Sequence, residues 1–302
     1  MTRLPDLALI GTATKRVALL AAASEADQRG FSLASTGVHG NLALCGSLAH
    51  VTSAVGFATS VLPIYHEHPT EVAITAAHLA EVSGGRFRLG IGVSHEPAMN
   101  RLGIHTGRPL GDMRSYVESL RAAAPQAGEL PPIVLATLRD KMLDLALDIA
   151  DGAVWANASR SYMPTQVARV PSDRPAPFSL ANMVPTVIDG DVGAARAVHR
   201  RTLATYVRLP NYRNYWKQAG YEEEMTAIET AIEARDREAV SALMSDRWLD
   251  DCTISGTATQ VRDQLDSWFD IGVTPIVVMS STSGGQLKAI AELFALFDAD
   301  QR

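Results

Sequence analysis

Short apolar runs alternate with longer stretches of helical periodicity along the whole chain. Eight runs have the length and composition of strands: 6–11, 32–37, 53–62, 86–94, 132–137, 152–158, 178–188 and 274–281. Apolar residues at three- and four-residue spacing predict helices over 13–29, 41–50, 69–82, 109–123, 139–150, 162–169, 191–206 and 286–297. Eight strand–helix repeats in 302 residues predict an α/β fold of the (β/α)8 TIM-barrel class.

The alternation is interrupted once, before the last predicted strand. Residues 207–270 are polar and helical in pattern, which predicts a helical insertion within a single domain covering residues 1–302. Aromatic side chains in and beside this insertion could line a substrate mouth or simply pack against one another, and packing is the commoner role. They are Tyr206, Tyr212, Tyr215, Trp216 and Tyr221.

Composition narrows the class of partner to a small molecule. The formal net charge is −6, from 27 basic and 33 acidic residues without a long block of one sign, and it offers no footprint for nucleic acid. Apolar runs such as 17–23 are too short to span a membrane, and no signal sequence is recognisable. Cys45 and Cys252 have no disulfide or zinc-site spacing, so we expect a cytoplasmic protein without a metal.

Histidines follow three of the predicted strands, at the end where TIM barrels carry their active sites. His39 follows the second strand, His66 and His68 the third, and His95 the fourth. His68 precedes a proline that suits the first turn of a helix, which predicts a structural role. Because these histidine-bearing loops are expected to converge on one rim, His39 and His95 are the candidate functional residues, and imidazole, with an unperturbed pKa near 6.5, can accept or donate a proton at neutral pH.

Glycines and a basic helix start supply two further signals. Gly90 and Gly92 lie two apart in the fourth predicted strand, a pattern that permits close approach of a flat ligand. After the fifth strand, the first turn of a helix with Arg139 and Lys141 could hold a phosphate or be an ordinary exposed helix start. Arg101, Arg108 and Arg114 lie in a loop that could contact a polyanion or be solvated.

Two segments resemble the luciferase-like family of flavin and deazaflavin oxidoreductases, in its coenzyme F420-dependent branch. They are "TSVLPIYHEHPTEVAITAAHLAEVSGGRFRLGIGVSHEP" and "PPIVLATLRDKMLDLALDIADGAVW". The resemblance implies hydride transfer between coenzyme F420 and a small organic substrate, a homodimer, and a cis peptide between Ser60 and Val61 behind the ring. It implies cofactor contacts at Ser60, Val61, Gly92, Val93, Ser94, Thr137, Leu138 and Arg139.

The chain departs from this family at three places. Val38 stands where the sugar-phosphate dehydrogenase branch has an aspartate before the histidine, and His95 stands where that branch places an acidic proton donor. Leu138, Arg139 and Asp140 replace a glycine-containing turn, which restricts how closely a phosphate can approach. Three alternatives therefore stay open: an FMN-dependent monooxygenase, a non-catalytic flavin-binding relative, and a metal-dependent hydrolase using His66 and His68.

Overall fold

The computed structural model describes residues 3–36 and 41–298, and the chain divides into two compact units. The first unit comprises Thr2–Trp155 and Pro171–Ala181, and the second comprises Ala156–Val170 and Asn182–Arg302. Within the described ranges, no helix combines the length and the apolar character needed to cross a membrane.

The first unit is a parallel sheet whose strands alternate with helices. Its elements are β1 (Asp6–Ile10), α1 (Arg16–Arg29), β2 (Leu33–Thr36), α2 (Asn41–Val51), β3 (Phe57–Thr59), β4 (Leu62–Pro63), α3 (Pro69–Val82), β5 (Phe87–Gly92), α4 (Glu96–Arg101), α5 (Pro109–Ala127), β6 (Ile133–Ala136), α6 (Asp140–Ile149) and β7 (Gly152–Ala156). The pairing order is β1-β2-β3-β5-β6-β7, and β4 also pairs with β5. The central strand β5 buries Phe87, Leu89 and Ile91 completely, as its apolar run predicts.

The second unit carries the remaining strands and the insertion. Its elements are α7 (Met163–Val167), β8 (Ser179–Ile188, which begins in the first unit), α8 (Val192–Leu203), α9 (Pro210–Trp216), α10 (Glu222–Glu233), α11 (Arg237–Ala242), α12 (Asp246–Cys252), β9 (Ile254–Gly256), α13 (Ala258–Asp270), β10 (Thr274–Ser280) and α14 (Gln286–Asp298). β8 pairs with β9 in parallel and also with β10. A capping box between Thr257 and Gln260 starts α13.

The predicted fold class, a (β/α)8 TIM barrel, is confirmed. All eight predicted strands are present in chain order, with β3 and β4 forming one interrupted strand, and helices separate them. Two short elements were not predicted from the sequence, namely α4 and β9. Both are below the length at which hydrophobic periodicity becomes informative.

The predicted strand over 53–62 is wrong in its first four residues. One carboxylate oxygen of Asp27 accepts hydrogen bonds from the amides of Ala54 and Val55, each at 2.9 Å, and the other accepts the Ser53 amide at 2.9 Å. Three amides that a strand would commit to a neighbouring strand are thereby held in a turn. Burial opposes ionisation of Asp27, but these hydrogen bonds outweigh it and lower its pKa to about 2.

The aromatic residues of the insertion form a packed core, so the packing interpretation is the one the structure supports. Tyr212, Tyr215, Trp216 and Tyr221 are buried, and the rings of Trp216 and Trp248 meet edge to face at 4.8 Å. The Trp216 Nε1 donates to the Asn157 carbonyl oxygen at 3.2 Å, directly after β7. Trp216 therefore ties α9 to the segment that follows β7, within the second unit.

A buried histidine in the second unit predicts acid sensitivity. His199 is fully buried on α8, its Nε2 lies 3.2 Å from the Ile254 carbonyl oxygen, and its Nδ1 has no partner among the described residues. Burial lowers its pKa to about 4. The unfolded chain therefore takes up this proton first as the pH falls below about 6.5, and stability is lost until the folded state also protonates.

We expect the free energy of unfolding to fall by about 3 kcal/mol through His199 alone between pH 6.5 and 4. Urea unfolding across this range measures the change, and the His199→Leu variant is the matched control because it has no imidazole to protonate. Between pH 6.5 and 4, the free energy of unfolding of His199→Leu should fall by about 3 kcal/mol less than that of the wild type. Equal pH dependence in both proteins would contradict the assignment.

Candidate active site

Two glycines of β5 allow the neighbouring strand to approach closely. A Cβ atom on Gly90 would lie 2.0 Å from the Thr59 carbonyl oxygen, a distance no side chain tolerates. The Thr59 hydroxyl also accepts from the Gly90 amide at 2.9 Å and donates to its carbonyl oxygen at 2.7 Å. The close approach at Gly90 is thus made by protein backbone, whereas the sequence suggested a flat ligand there.

Gly92 makes room for the side chains of Val61 and Ala136. A Cβ atom on Gly92 would lie 2.7 Å from the Val61 Cγ2 and 2.9 Å from the Ala136 Cβ. Val61 is half-buried, so part of its side chain rests on Gly92 and part remains accessible. Val61 and Gly92 together form one wall at the carboxyl end of β5, which we call the Val61 wall.

The segment between β3 and β4 contains the peptide bond that the family resemblance implied. The bond between Ser60 and Val61 is cis, as predicted. The Ser60 amide donates to the Ser35 carbonyl oxygen at 2.7 Å, and the Val61 carbonyl accepts from the Asn41 side-chain amide at 3.0 Å. The Ser60 hydroxyl is buried without a hydrogen-bond partner in the described part of the chain.

The residues after β5 turn sharply into α4. Ser94 has a φ of 60°, in the left-handed region where a residue with a side chain is uncommon, and such residues cluster at functional sites. The next residue, His95, occupies the N-cap position of α4 without a side-chain capping bond, and Val93, Ser94 and His95 are all partly accessible. Burial lowers the pKa of His95 below its usual value, so its imidazole is neutral at pH 7.

The turn after β6 places a buried hydroxyl before a helix start. The Thr137 amide donates to the Val154 carbonyl oxygen at 2.8 Å, while its hydroxyl is buried and has no hydrogen-bond partner within the described ranges. Arg139 is exposed and is the N-cap residue of α6, without a side-chain capping bond. Thr137, Leu138 and Arg139 therefore lie at the positive end of a ten-residue helix.

The other residues that the sequence suggested for the site have separate outcomes. His39 lies outside the described residues. The His68 Nδ1 accepts from the Thr70 amide at 3.3 Å and caps α3, as its predicted structural role requires, which uses one nitrogen of the suggested metal pair. Arg114 is committed to an ion pair with Asp148 at 2.6 Å, so it is less available for a polyanion than Arg101 or Arg108.

Sequence reasoning missed three residues that shape this site: Ser35, Asn41 and Thr59. All three are buried, and each bonds to the backbone of another strand or to the segment between β3 and β4. Asn41 directly follows the segment that contains His39, and a polar residue inside an otherwise apolar helix start was the available signal.

Comparisons with known proteins agree with this architecture. The profile of the luciferase-like monooxygenase family matches residues 8–275. A 5,10-methylenetetrahydromethanopterin reductase of Archaeoglobus fulgidus is 26% identical over 275 residues, which cover 80% of this chain and 82% of that protein.

Two solved structures share the fold over nearly all of the chain. The coenzyme F420-dependent tetrahydromethanopterin reductase from Methanopyrus kandleri has a TM-score of 0.73 at 19% identity and 97% coverage of both chains. The oxygenating constituent of 3,6-diketocamphane monooxygenase from Pseudomonas putida, in complex with FMN, has a TM-score of 0.60 at 15% identity, covering 90% of this chain and 92% of that one. Since the family profile spans most of the sequence, this chain belongs to the luciferase-like monooxygenase family of enzymes.

Proposed function

We propose that this chain is an oxidoreductase that transfers hydride between coenzyme F420 and a small organic substrate. The observation that carries the proposal is a pair of buried hydroxyls on the two sides of β5. Ser60 and Thr137 are 4% and 5% exposed, and neither hydroxyl has a hydrogen-bond partner in the described part of the chain. An unsatisfied buried polar group costs about 1–3 kcal/mol, and a polar ligand would offset that cost.

The two hydroxyls suit different parts of such a cofactor. Ser60 precedes the Val61 wall, where a planar ring would lie against Val61 and Gly92. Thr137 stands before α6, where the helix start and the Arg139 guanidinium favour a phosphate. The Asp140 carboxylate in the first turn of α6 repels a phosphate, so the Arg139 guanidinium contributes most of the electrostatic attraction.

The chain's own groups have the following roles in this proposal. The Val61 wall orients the ring, and the bound deazaflavin supplies the hydride chemistry at its C5 carbon. A neutral His95 holds or accepts a proton at an imidazole nitrogen beside the site, and His39 remains the second candidate for that task. The name of the Methanopyrus reductase supports coenzyme F420 here, whereas the FMN complex of the Pseudomonas enzyme keeps FMN as the rival cofactor.

A titration of the purified protein with coenzyme F420 and, separately, with FMN tests the proposal through the visible absorption and fluorescence of each compound. We expect coenzyme F420 to bind in the micromolar range, and Thr137→Val to weaken binding about tenfold because one hydrogen bond to a charged group is lost. Thr52→Val is the matched control, since the Thr52 hydroxyl donates to the Leu48 carbonyl oxygen and accepts from the Arg86 guanidinium, both away from the site.

The outcomes separate the alternatives. Binding of FMN alone would replace the cofactor in the proposal and leave the family assignment intact. Binding of neither compound by the folded protein would contradict the proposal and favour a non-catalytic relative.

A further inference from the structure

Backbone hydrogen bonding between the strands is interrupted beside the Val61 wall, and a side chain supplies a hydrogen bond there instead. Pairing between β2 and β3 ends at Ser35 with Thr59, and pairing between β4 and β5 resumes at Leu62 with Ile91. The Val61 carbonyl falls in the gap between these registers. There the Asn41 side-chain amide donates to it at 3.0 Å, in the place of a ladder amide.

Asn41 is itself held by Ser35. The Ser35 hydroxyl lies 3.3 Å from the Asn41 carbonyl oxygen and 3.2 Å from its Oδ1, and donates to this pair of acceptors. The Ser35 carbonyl oxygen in turn accepts the Ser60 amide at 2.7 Å. Ser35 thus holds Ser60 through its amide, and Asn41 holds Val61 through its carbonyl. Asn41 is only 2% exposed.

These hydrogen bonds affect the position of the Val61 wall, which would contact the cofactor ring. The Val61 Cγ2 occupies the space that a Gly92 side chain would need, so a shift of the Val61 backbone moves the wall against β5. A buried amide that both donates and accepts admits one orientation, which fixes the Val61 carbonyl in one direction.

We propose that Asn41 is a positioning residue for the cofactor ring: its side-chain amide holds the Val61 carbonyl and thereby sets the Val61 wall. The inference rests on the proposed function. Asn41 does not need to touch the cofactor in this role. In sequence, Ser35 and Asn41 lie on the two sides of residues 37–40, which contain His39.

The first test removes the hydrogen bond with little change in size. Asn41→Leu should remain folded by circular dichroism and should bind coenzyme F420, or FMN if that is the cofactor found, at least about tenfold more weakly than the wild type. The Thr52→Val control loses two hydrogen bonds just beyond the end of α2, one donated to the Leu48 carbonyl oxygen and one accepted from the Arg86 guanidinium, so its stability should fall while its ring affinity stays within about twofold.

The second test restores the hydrogen bond by protonation. Asn41→Asp keeps the acceptor for Ser35, but its carboxylate cannot donate to the Val61 carbonyl, and burial beside a carbonyl raises the pKa of such a carboxyl. Relative to the wild type at the same pH, its ring affinity should be about tenfold lower at pH 8 and should recover to within about threefold at pH 5. The buried Cys45 thiol near Ser35 stays neutral throughout, because burial raises its pKa to about 12.

The outcomes are distinct. An unchanged ring affinity in folded Asn41→Leu, or the same weakened affinity of Asn41→Asp at both pH values, overturns the inference while the proposed function stands. If Asn41→Leu does not fold, the pH recovery of Asn41→Asp decides alone. A wild-type protein that binds neither cofactor overturns both the proposed function and this inference.

Discussion

Replacing Gly92 with leucine is expected to weaken binding of the cofactor ring by at least about a hundredfold while the barrel still folds. Even the first side-chain atom at this position would lie 2.7 Å from the Val61 Cγ2 and 2.9 Å from the Ala136 Cβ. Val61 is half-buried and can yield toward the accessible side, which is the side a ring would occupy. Titration with coenzyme F420 measures the loss, and thermal unfolding reports whether the fold survives.

Two variants sharpen this expectation. Gly46→Leu is the matched control, because a Cβ atom on Gly46 meets nothing within 4 Å and its affinity should not change. Gly92→Ala should bind more weakly than the wild type, and adding Val61→Ala should recover part of the loss by vacating the contested space. Full ring affinity in folded Gly92→Leu would remove Gly92 and Val61 from the proposed site.

Replacing the proton-handling histidine with alanine is expected to lower turnover by about 10²–10⁴-fold while ring affinity survives. His39 is the favoured candidate because it matches a family histidine, and His95 is the alternative that the structure describes beside β5. His39→Ala and His95→Ala, assayed once a substrate is found, measure the two contributions. His78→Ala is a control, because His78 is exposed on α3 and should leave turnover unchanged.

The pH profile assigns the role independently of the substitutions. In the direction in which the histidine accepts a proton, the rate falls as the pH drops through its pKa, because only the neutral imidazole is a base. An imidazole with an unperturbed pKa would show that fall near pH 6.5. Burial lowers the pKa of His95, so the same fall would move to more acidic pH if His95 is the base. Full activity in both alanine variants would exclude both residues.

The residues of β5 show what can be predicted from the pattern of neighbouring residues. Phe87, Leu89 and Ile91 form an apolar run, and all three are fully buried in the central strand of the first unit. The start of α3 is equally local: a proline at its first turn and the capping His68 are neighbours in sequence, and the helix begins where both predict it. Elements of this kind depend on residues within one or two turns of each other.

The break before β3 shows where local pattern fails. Residues 53–56 lie within a predicted strand, yet the Asp27 carboxylate, from a helix 26 residues earlier, accepts the amides of residues 53–55 and holds them in a turn. Arg86 adds a second distant constraint, donating to the Val55 carbonyl oxygen at 3.0 Å and the Thr52 carbonyl oxygen at 3.0 Å. Neither partner is detectable from the segment itself.

The sequence by itself determined the eight strand–helix repeats, the family, and the positions of Gly92, Val93, Ser94 and Thr137 at strand ends, because periodicity and motif are properties of neighbouring residues. Only the tertiary structure decided that Gly90 leaves room for the backbone of Thr59, that the aromatic residues of the insertion pack into a core, and that the Asn41 side chain bonds to the Val61 carbonyl. Each of these depends on contacts between residues 20 or more positions apart, as with the 20-residue separation of Asn41 and Val61 and the 31-residue separation of Thr59 and Gly90. Such contacts form only when distant segments come together in the fold, since the chain must close a long loop before their side chains can meet.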